Sequence, residues 1–264
     1  YHSCGLIADV IVCWGDNTFG QTDVPDSDVP ASDNTVPTIT PSVVGDAGAN
    51  SWYTSDVTVT WTVTDDESAI SSSTGCETTS ISTDTSGTTL TCSATSAGGP
   101  STQSVTIKRD ATAPVVTFTG NQGTYGLLDT VTIDCAATDA TSGIASDTCQ
   151  NVSAPAYTFG PGEHVISASA TDMAGNTGSA ETRFVVTASH DGLCTLTKEL
   201  VSNRGTERAA CALLTAAERA EQRGQARLAQ GPLIAYRVMI GSAIRVGHIS
   251  AEDGATLIAF SRTL

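Results

Sequence analysis

Eight cysteines fall in four local couples, Cys4/Cys13, Cys76/Cys92, Cys135/Cys149 and Cys194/Cys211. Eight cysteines allow 105 pairings in principle, and the spacing favours pairing within each couple. No two cysteines stand at the short interval of a zinc site, so the chemistry expected is four disulfides, each contributing about 2–4 kcal/mol. A second chemistry is open to carboxylates. Asp65, Asp66 and Glu67 crowd one loop, Asp139 takes a matching place further on, and Asp110 sits in the joint KRDATAP. Hard oxygens at a domain junction suit calcium, and binding there would stiffen the chain. The alternative is that Asp65 and Asp139 close turns through their own side chains, as Asp172 and Asn176 would in TDMAGN. No cofactor other than calcium is expected.

Catalysis finds no foothold. No nucleophile elbow, His-Glu-x-x-His or phosphate loop occurs, and the four histidines (His2, His164, His190, His248) are scattered. A serine without a positioned base is not a nucleophile. The sequence therefore predicts a protein that is not an enzyme, with no catalytic and no cofactor-binding residues.

The 28 acidic and 12 basic side chains give a formal charge of −16, which argues against nucleic acid or an anionic membrane as partner. The charge is uneven. Residues 1–113 hold 14 acidic and 2 basic residues, residues 114–189 hold 7 and 1, and residues 190–264 hold 7 and 9. Composition shifts at the same place, from Thr, Ser, Val and Asp to Ala, Leu, Arg and Glu. No apolar run approaches the 18 or so residues of a membrane span, so membrane insertion is not expected. Eight cysteines against two methionines suggest an oxidising compartment, either extracellular or at a cell surface.

The middle of the chain repeats one design. VTVTWTVTDDESAI (57–70) lies over VTIDCAATDATSGI (131–144), placing Val57, Val59, Trp61 and Val63 on Val131, Ile133, Cys135 and Ala137. That period of two marks strands with one buried face. LTCSATSAGG (90–99) likewise lies over ISASATDMAGN (166–176). Short strands with turn signals every 8–12 residues predict antiparallel sandwiches. The first copy would staple Cys76 to the later strand at Cys92, and the second would staple Cys149 to the earlier strand at Cys135.

After residue 190 the period becomes helical. Thr206 is a candidate N-cap, Gly205 and Gly224 punctuate the helix around TERAACALLTAAERAEQR, and Pro232 stands near the next N-terminus. Ser250 and Asp253 take capping-box positions. The charges of ERAEQRGQAR suit a solvated helix face laced by i,i+4 pairs. The alternative is a basic end that meets the acidic body of the next molecule head to tail.

NSWYTSDVTVTWTVTDDESAI and TDMAGNTG resemble the bacterial immunoglobulin-like repeats of secreted and surface proteins. ACALLTAAERAEQRGQ, LIAYRVMIGSAIRVGHIS and AEDGATLIAF resemble the FIMAH domain, a helical module of secreted bacterial proteins. Residues 1–25, through His2, Ser3, Cys4, Leu6, Cys13, Trp14, Gly15, Asn17, Gly20 and Gln21, resemble one repeat of the regulator-of-chromosome-condensation propellers. Val10 stands where that family carries glycine in its turn. A propeller blade buries its faces only against other blades, so a lone copy is expected either to follow a propeller that precedes Tyr1 or to act as a docking arm.

The expected fold is mostly β with an α-helical C-terminal domain: two tandem antiparallel Ig-like sandwiches followed by a small helical bundle. The expected domains are a disulfide-closed hairpin over 1–22, a linker over 23–45, Ig-like domains over 46–113 and 114–189, and the bundle over 190–264. The expected function is a secreted or cell-surface structural or adhesive module of a bacterial multidomain protein. The alternatives are a subunit of an extracellular filament that uses residues 1–22 as a connecting arm, and an accessory segment of a secreted enzyme. Expected partners are another protein or further copies of the chain, reached through the N-terminal arm.

Overall fold

Alternation of valine with threonine builds the first sandwich: Val57 and Val59 are fully buried, Thr58 between them is half-buried, and Thr60, Thr62 and Thr64 are exposed. The computed structural model describes residues 1–7, 10–20, 22–23 and 32–264. It divides into two compact units, Tyr1–Ala111 and Thr112–Leu264.

The first unit begins with an antiparallel hairpin, β1 (His2–Ile7) and β2 (Val10–Gly15), in which Cys4 lies opposite and bonded to Cys13. Val10 pairs with Ile7 as a strand residue, and the turn between them lies outside the described residues. Next come β3 (Thr38–Val44), β4 (Val57–Thr64), β5 (Ser72–Thr74), β6 (Thr79–Ile81), β7 (Thr85–Ser96) and β8 (Gly99–Arg109). They form two antiparallel sheets, ordered β3-β4-β6 and β5-β7-β8. Between the sheets, Val57, Val59, Ile81 and Ile107 make a small core, flanked by Val43, Trp61, Leu90 and Val105. A disulfide joins Cys76 to Cys92 on β7.

The second unit contains β9 (Val115–Thr119), β10 (Thr124–Gly126), β11 (Thr130–Thr138), β12 (Ile144–Asp147), β13 (Val152–Pro155), β14 (Gly162–Asp172) and β15 (Thr177–Thr187). Its sheets are ordered β13-β11-β9 and β10-β15-β14-β12. All pairs are antiparallel except the short β10–β15 ladder, which is parallel. Cys135 on β11 is bonded to Cys149. Four helices follow: α1 (His190–Leu200), α2 (Arg204–Gln222), α3 (Ala226–Arg245) and α4 (Ala251–Phe260). The Cys194–Cys211 disulfide clamps α1 to α2.

The structure corrects the sequence reading in several places. Residues 38–44 are not part of a linker: β3 pairs along its whole length with β4. Four prolines and four aspartates in 22–41 suit an extended linker. Pro41 is tolerated because β3 is an edge strand, where a missing N–H breaks no second ladder. The helices are likewise not a separate domain. Tyr125, Leu127, Val131, Phe184 and Val186 of the sandwich share one continuous core with Leu193, Leu196, Leu214, Tyr236 and Phe260 of the helices.

At the level of caps, Asn203 rather than Thr206 caps α2, its side chain accepting the Thr206 N–H at 3.0 Å, and Gly205 lies inside that helix. Pro232 sits within α3, which starts six residues earlier at Ala226. Gly231 before it removes the Cβ that a following proline ring would crowd. Ser250 caps α4, accepting from Asp253 N at 3.0 Å, but its hydroxyl rather than its backbone N–H reaches Asp253 Oδ2, at 2.7 Å, so the bond that would complete a capping box is replaced by one between side chains.

At the centre of the bundle, the buried Tyr236 hydroxyl donates to Thr197 Oγ1 at 2.8 Å, and Thr197 donates onward to the Leu193 carbonyl at 2.7 Å. Burial pushes the Tyr236 phenol well above its ordinary value.

Gly241 offers a simple gain. It lies in the interior of α3, and a methyl group there would meet nothing within 4 Å. Gly241→Ala should raise stability by about 1 kcal/mol, read from the midpoint of urea unfolding. An unchanged or lowered midpoint would show that the open space is filled by something else.

Candidate functional site

The carboxylates singled out in the sequence lie in the loops that close each sandwich. After β4 the chain must reverse, and Asp65 Oδ1 accepts the backbone N–H groups of Glu67 and Ser68, both at 3.0 Å. After β11, Asp139 Oδ1 does the same for Thr141, Ser142 and Gly143 at 3.1, 2.9 and 2.8 Å. The two copies thus share one turn chemistry, with an aspartate gathering the N–H groups of the residues after it. Asp66, beside Asp65, is exposed. Asp110 belongs to the first unit just beyond β8, where its backbone N–H donates to the Tyr53 carbonyl at 2.8 Å.

One residue that the sequence reading missed organises the first site. Asp33 Oδ2 accepts from Ser68 Oγ at 2.5 Å, Gly98 N at 2.6 Å and Ser96 Oγ at 3.1 Å, while its Oδ1 accepts from Thr35 N at 3.0 Å. Ser68 therefore bridges two carboxylates, giving its N–H to Asp65 and its hydroxyl to Asp33. Gly98 is needed here because a Cβ at that position would stand 1.8 Å from the Thr35 carbonyl oxygen. A signal for Asp33 was present: Asp-x-Thr-x-Pro occurs at 33–37 and again at 110–114. It is short and spans a joint in each case, so strand periodicity passes over it.

In the second unit, Asp172 closes the turn of TDMAGN. Its Oδ1 accepts from Gly175 N at 2.7 Å and Asn176 N at 2.9 Å, and its Oδ2 accepts from Asn176 Nδ2 at 2.8 Å. The sequence marks Asp172 for turn chemistry only, yet a carboxylate oxygen of Asp139 and one of Asp172 lie within 4.8 Å of each other. In the first unit, Asp65 Oδ2 is buried without a hydrogen-bond partner. The second unit therefore brings two carboxylates close together, and in the first Ser68 links Asp33 to Asp65.

These donors set the acid response of the first unit. The Ser68 hydroxyl, and then the N–H groups of Thr35 and Gly98, hold Asp33 below the ordinary aspartate value of 3.8. The N–H groups of Ser68 and Glu67 hold Asp65 below it too. A carboxylate whose folded pKa is depressed adds stability above its unfolded pKa and loses it as pH falls through the folded value. The first unit should therefore keep its stability down to about pH 4 and lose it progressively below that. The check is unfolding free energy followed from neutral to acid pH. Asp33→Asn should flatten that slope, and an unchanged slope would remove Asp33 from the account.

Other surfaces hold little chemistry. A shallow depression of about 430 Å³ on the second sandwich is lined by Thr148, Ser167, Ala168, Ser169, Ser179, Ala180 and Glu181. It offers one carboxylate and several hydroxyls, with no histidine or cysteine among its lining. Among the described residues, no helix is long and apolar enough to cross a membrane.

No protein family and no curated protein matches the chain. Among solved structures it is similar to the fibronectin(III)-like modules of Clostridium thermocellum CbhA, at 14% identity and a TM-score of 0.24, over 56% of this chain and 95% of that one. It is similar to the protocadherin GammaB4 extracellular domain at 14% identity and a TM-score of 0.32, over 62% of this chain and 34% of that one. Titin A168169 is 12% identical with a TM-score of 0.28, over 59% of this chain and all (100%) of that one. Likenesses this distant carry no functional argument, and the fold rests on the strand registers and cores described above.

Proposed function

We propose that this chain is a non-enzymatic structural or adhesive module of a secreted or cell-surface bacterial protein. The observation that carries the reading is the stapled tandem design, in which each sandwich has an aspartate-braced loop and one disulfide. The side chains best equipped for chemistry are used as braces within it. Four disulfides and no free cysteine suit an oxidising compartment. The resemblance of the sandwiches to bacterial Ig-like repeats and of 191–264 to the FIMAH module agrees with this placement. Hydrolysis of a glycoside, ester or peptide substrate by the purified chain would overturn the reading.

A second reading, a filament subunit joined through its N-terminal arm, is favoured by the hairpin's surface. Ile11, Val12, Trp14 and Phe19 are 45%, 39%, 54% and 87% exposed. An isolated two-stranded hairpin is at best marginally stable in water, so such side chains suit a sheet edge of another molecule. Light scattering and electron microscopy on the chain with and without residues 1–22 separate the two readings. Polymers lost on truncation favour the arm; monomers in both cases leave the structural module as the reading.

The carboxylate pairs add a calcium reading, with Asp33 and Asp65 as ligands in the first unit and Asp139 and Asp172 in the second. It rests on the buried, unpartnered Oδ2 of Asp65 and on the proximity of Asp139 to Asp172. A melting temperature raised by millimolar calcium after chelator treatment supports it. An unmoved one assigns the carboxylates to turn bracing alone.

A further inference from the structure

Helix α2 separates its charges by side. Arg204, Arg208 and Arg219 on the helix and Arg223 at its C-cap are all exposed, and at 100° per residue they fall within an arc of about 100° along one face. Glu207, Glu218 and Glu221 are half-buried and lie outside that arc, Glu221 in line with the buried stripe of Ala210, Leu214 and Ala217 and the other two beside it. The i,i+4 pairs expected from the sequence are absent from the arginine face. Arg204 and Arg208 are i,i+4 to each other, and so are Arg219 and Arg223, an arrangement that destabilises an isolated helix by a few tenths of a kcal/mol per pair. Among the described residues, none of these four guanidinium groups is within ion-pair distance of a carboxylate. Between the two pairs the face carries only exposed Ala212, Thr215 and Ala216, so a flat surface can approach the helix closely. Local repulsion kept without an internal partner points to a partner outside the fold.

The chemistry of that partner is present in the chain itself. Residues 38–189, which hold both sandwiches, carry 15 acidic and 3 basic side chains. Two of those three bases are already taken: Arg109 pairs with Asp56 and Asp84, and Arg183 with Glu163 and Glu181. The third, Lys108, lies over the Trp52 ring. The sandwiches therefore have a large carboxylate excess and no cations left to meet it.

We infer that the arginine face of α2 docks on the acidic sandwiches of a second copy of this chain. Two different surfaces meet in such a contact, so it is heterologous and propagates head to tail, into rings if the rotation closes and into open chains if it does not. Guanidinium forks facing carboxylates across an exposed interface give orientation and association rate more than tight binding. The contact is separate from any made by the N-terminal hairpin.

Sedimentation equilibrium on the intact, disulfide-bonded chain tests this. At low salt, about 20 mM, the average mass should rise with protein concentration above 26.9 kDa, and at about 500 mM it should return to the monomer. The variant R204Q/R208Q/R219Q/R223Q should remain monomeric at both salt levels. The corresponding four-lysine variant, which keeps the charge, should still associate. Deleting residues 1–22 should leave this association in place, which keeps the result distinct from that of the arm. Three results would overturn the inference: a monomer at low salt at every concentration, a glutamine variant that associates like the parent, or a salt-dependent compaction without change of mass. Circular dichroism on the glutamine variant verifies that its helices are intact.

Discussion

Leu193→Ala should destabilise the second unit by about 2–5 kcal/mol and lower the melting of its strands and its helices together. Leu193 is on α1 and completely buried. The core that receives it runs without a break from Tyr125, Leu127 and Phe184 in the sandwich to Leu214, Tyr236 and Phe260 in the helices. Within the sandwich part, Phe184 stacks edge-on against Tyr125 and Phe159, with centroids 5.6 and 5.2 Å apart, so this layer is packed by rings of fixed orientation. Removing three carbons from the seam leaves a void that rigid neighbours on both sides fill only partly. The informative readout is cooperativity. Near-ultraviolet signals from the aromatic layer and far-ultraviolet signals from the helices should shift by the same amount. Helices melting alone while the sandwich holds its midpoint would restore them to a separate domain.

Arg109→Ala should cost the first unit about 3 kcal/mol. Arg109 ends β8 with only 8% of its surface exposed. Its guanidinium donates to Asp84 Oδ1 and to Asp56 Oδ1, the latter at 2.8 Å, and its Nε donates to the Ser55 carbonyl at 3.0 Å. Truncation leaves Asp84, whose side chain is 20% exposed, without its counter-charge. Breaking a fully buried pair this way costs about 3–5 kcal/mol. Asp56 is 69% exposed and adds little to the total. Arg109→Lys should recover only part of the loss, because an ammonium cannot reproduce three directed contacts from one planar group. Denaturant unfolding of both variants measures this. A loss below about 1 kcal/mol for alanine would mean that water already screens the cluster.

Each part of the fold was legible where one local period carried it. Val57, Val59, Val131 and Ile133 alternate with polar residues, and all four are buried on paired strands. What escaped was information carried by contacts far apart in sequence. The bond from Gly98 N to Asp33 spans 65 residues, and no pattern of periods one can read off a strand contains it. The helical period of 190–264 shows that each helix has an apolar face, but not that a sandwich supplies part of the cover. Pro41 and Pro232 misled for a related reason: a proline reports a missing donor, and whether that donor matters depends on an edge strand or on helix residues that lie elsewhere. The turn role of Asp139 and Asp172 could be read from their spacing to glycine and asparagine, whereas their closeness to each other could not.

The staples also bear on what happens when the chain is pulled from its ends. Cys76–Cys92, Cys135–Cys149 and Cys194–Cys211 close loops with sequence separations of 16, 14 and 17 residues. At about 3.4 Å per extended residue, each loop withholds about 50 Å of contour from stretching, whatever becomes of the fold around it. Under load the chain therefore has a fixed reserve of length that only a reductant can release, and its extensibility is set by redox chemistry as well as by packing.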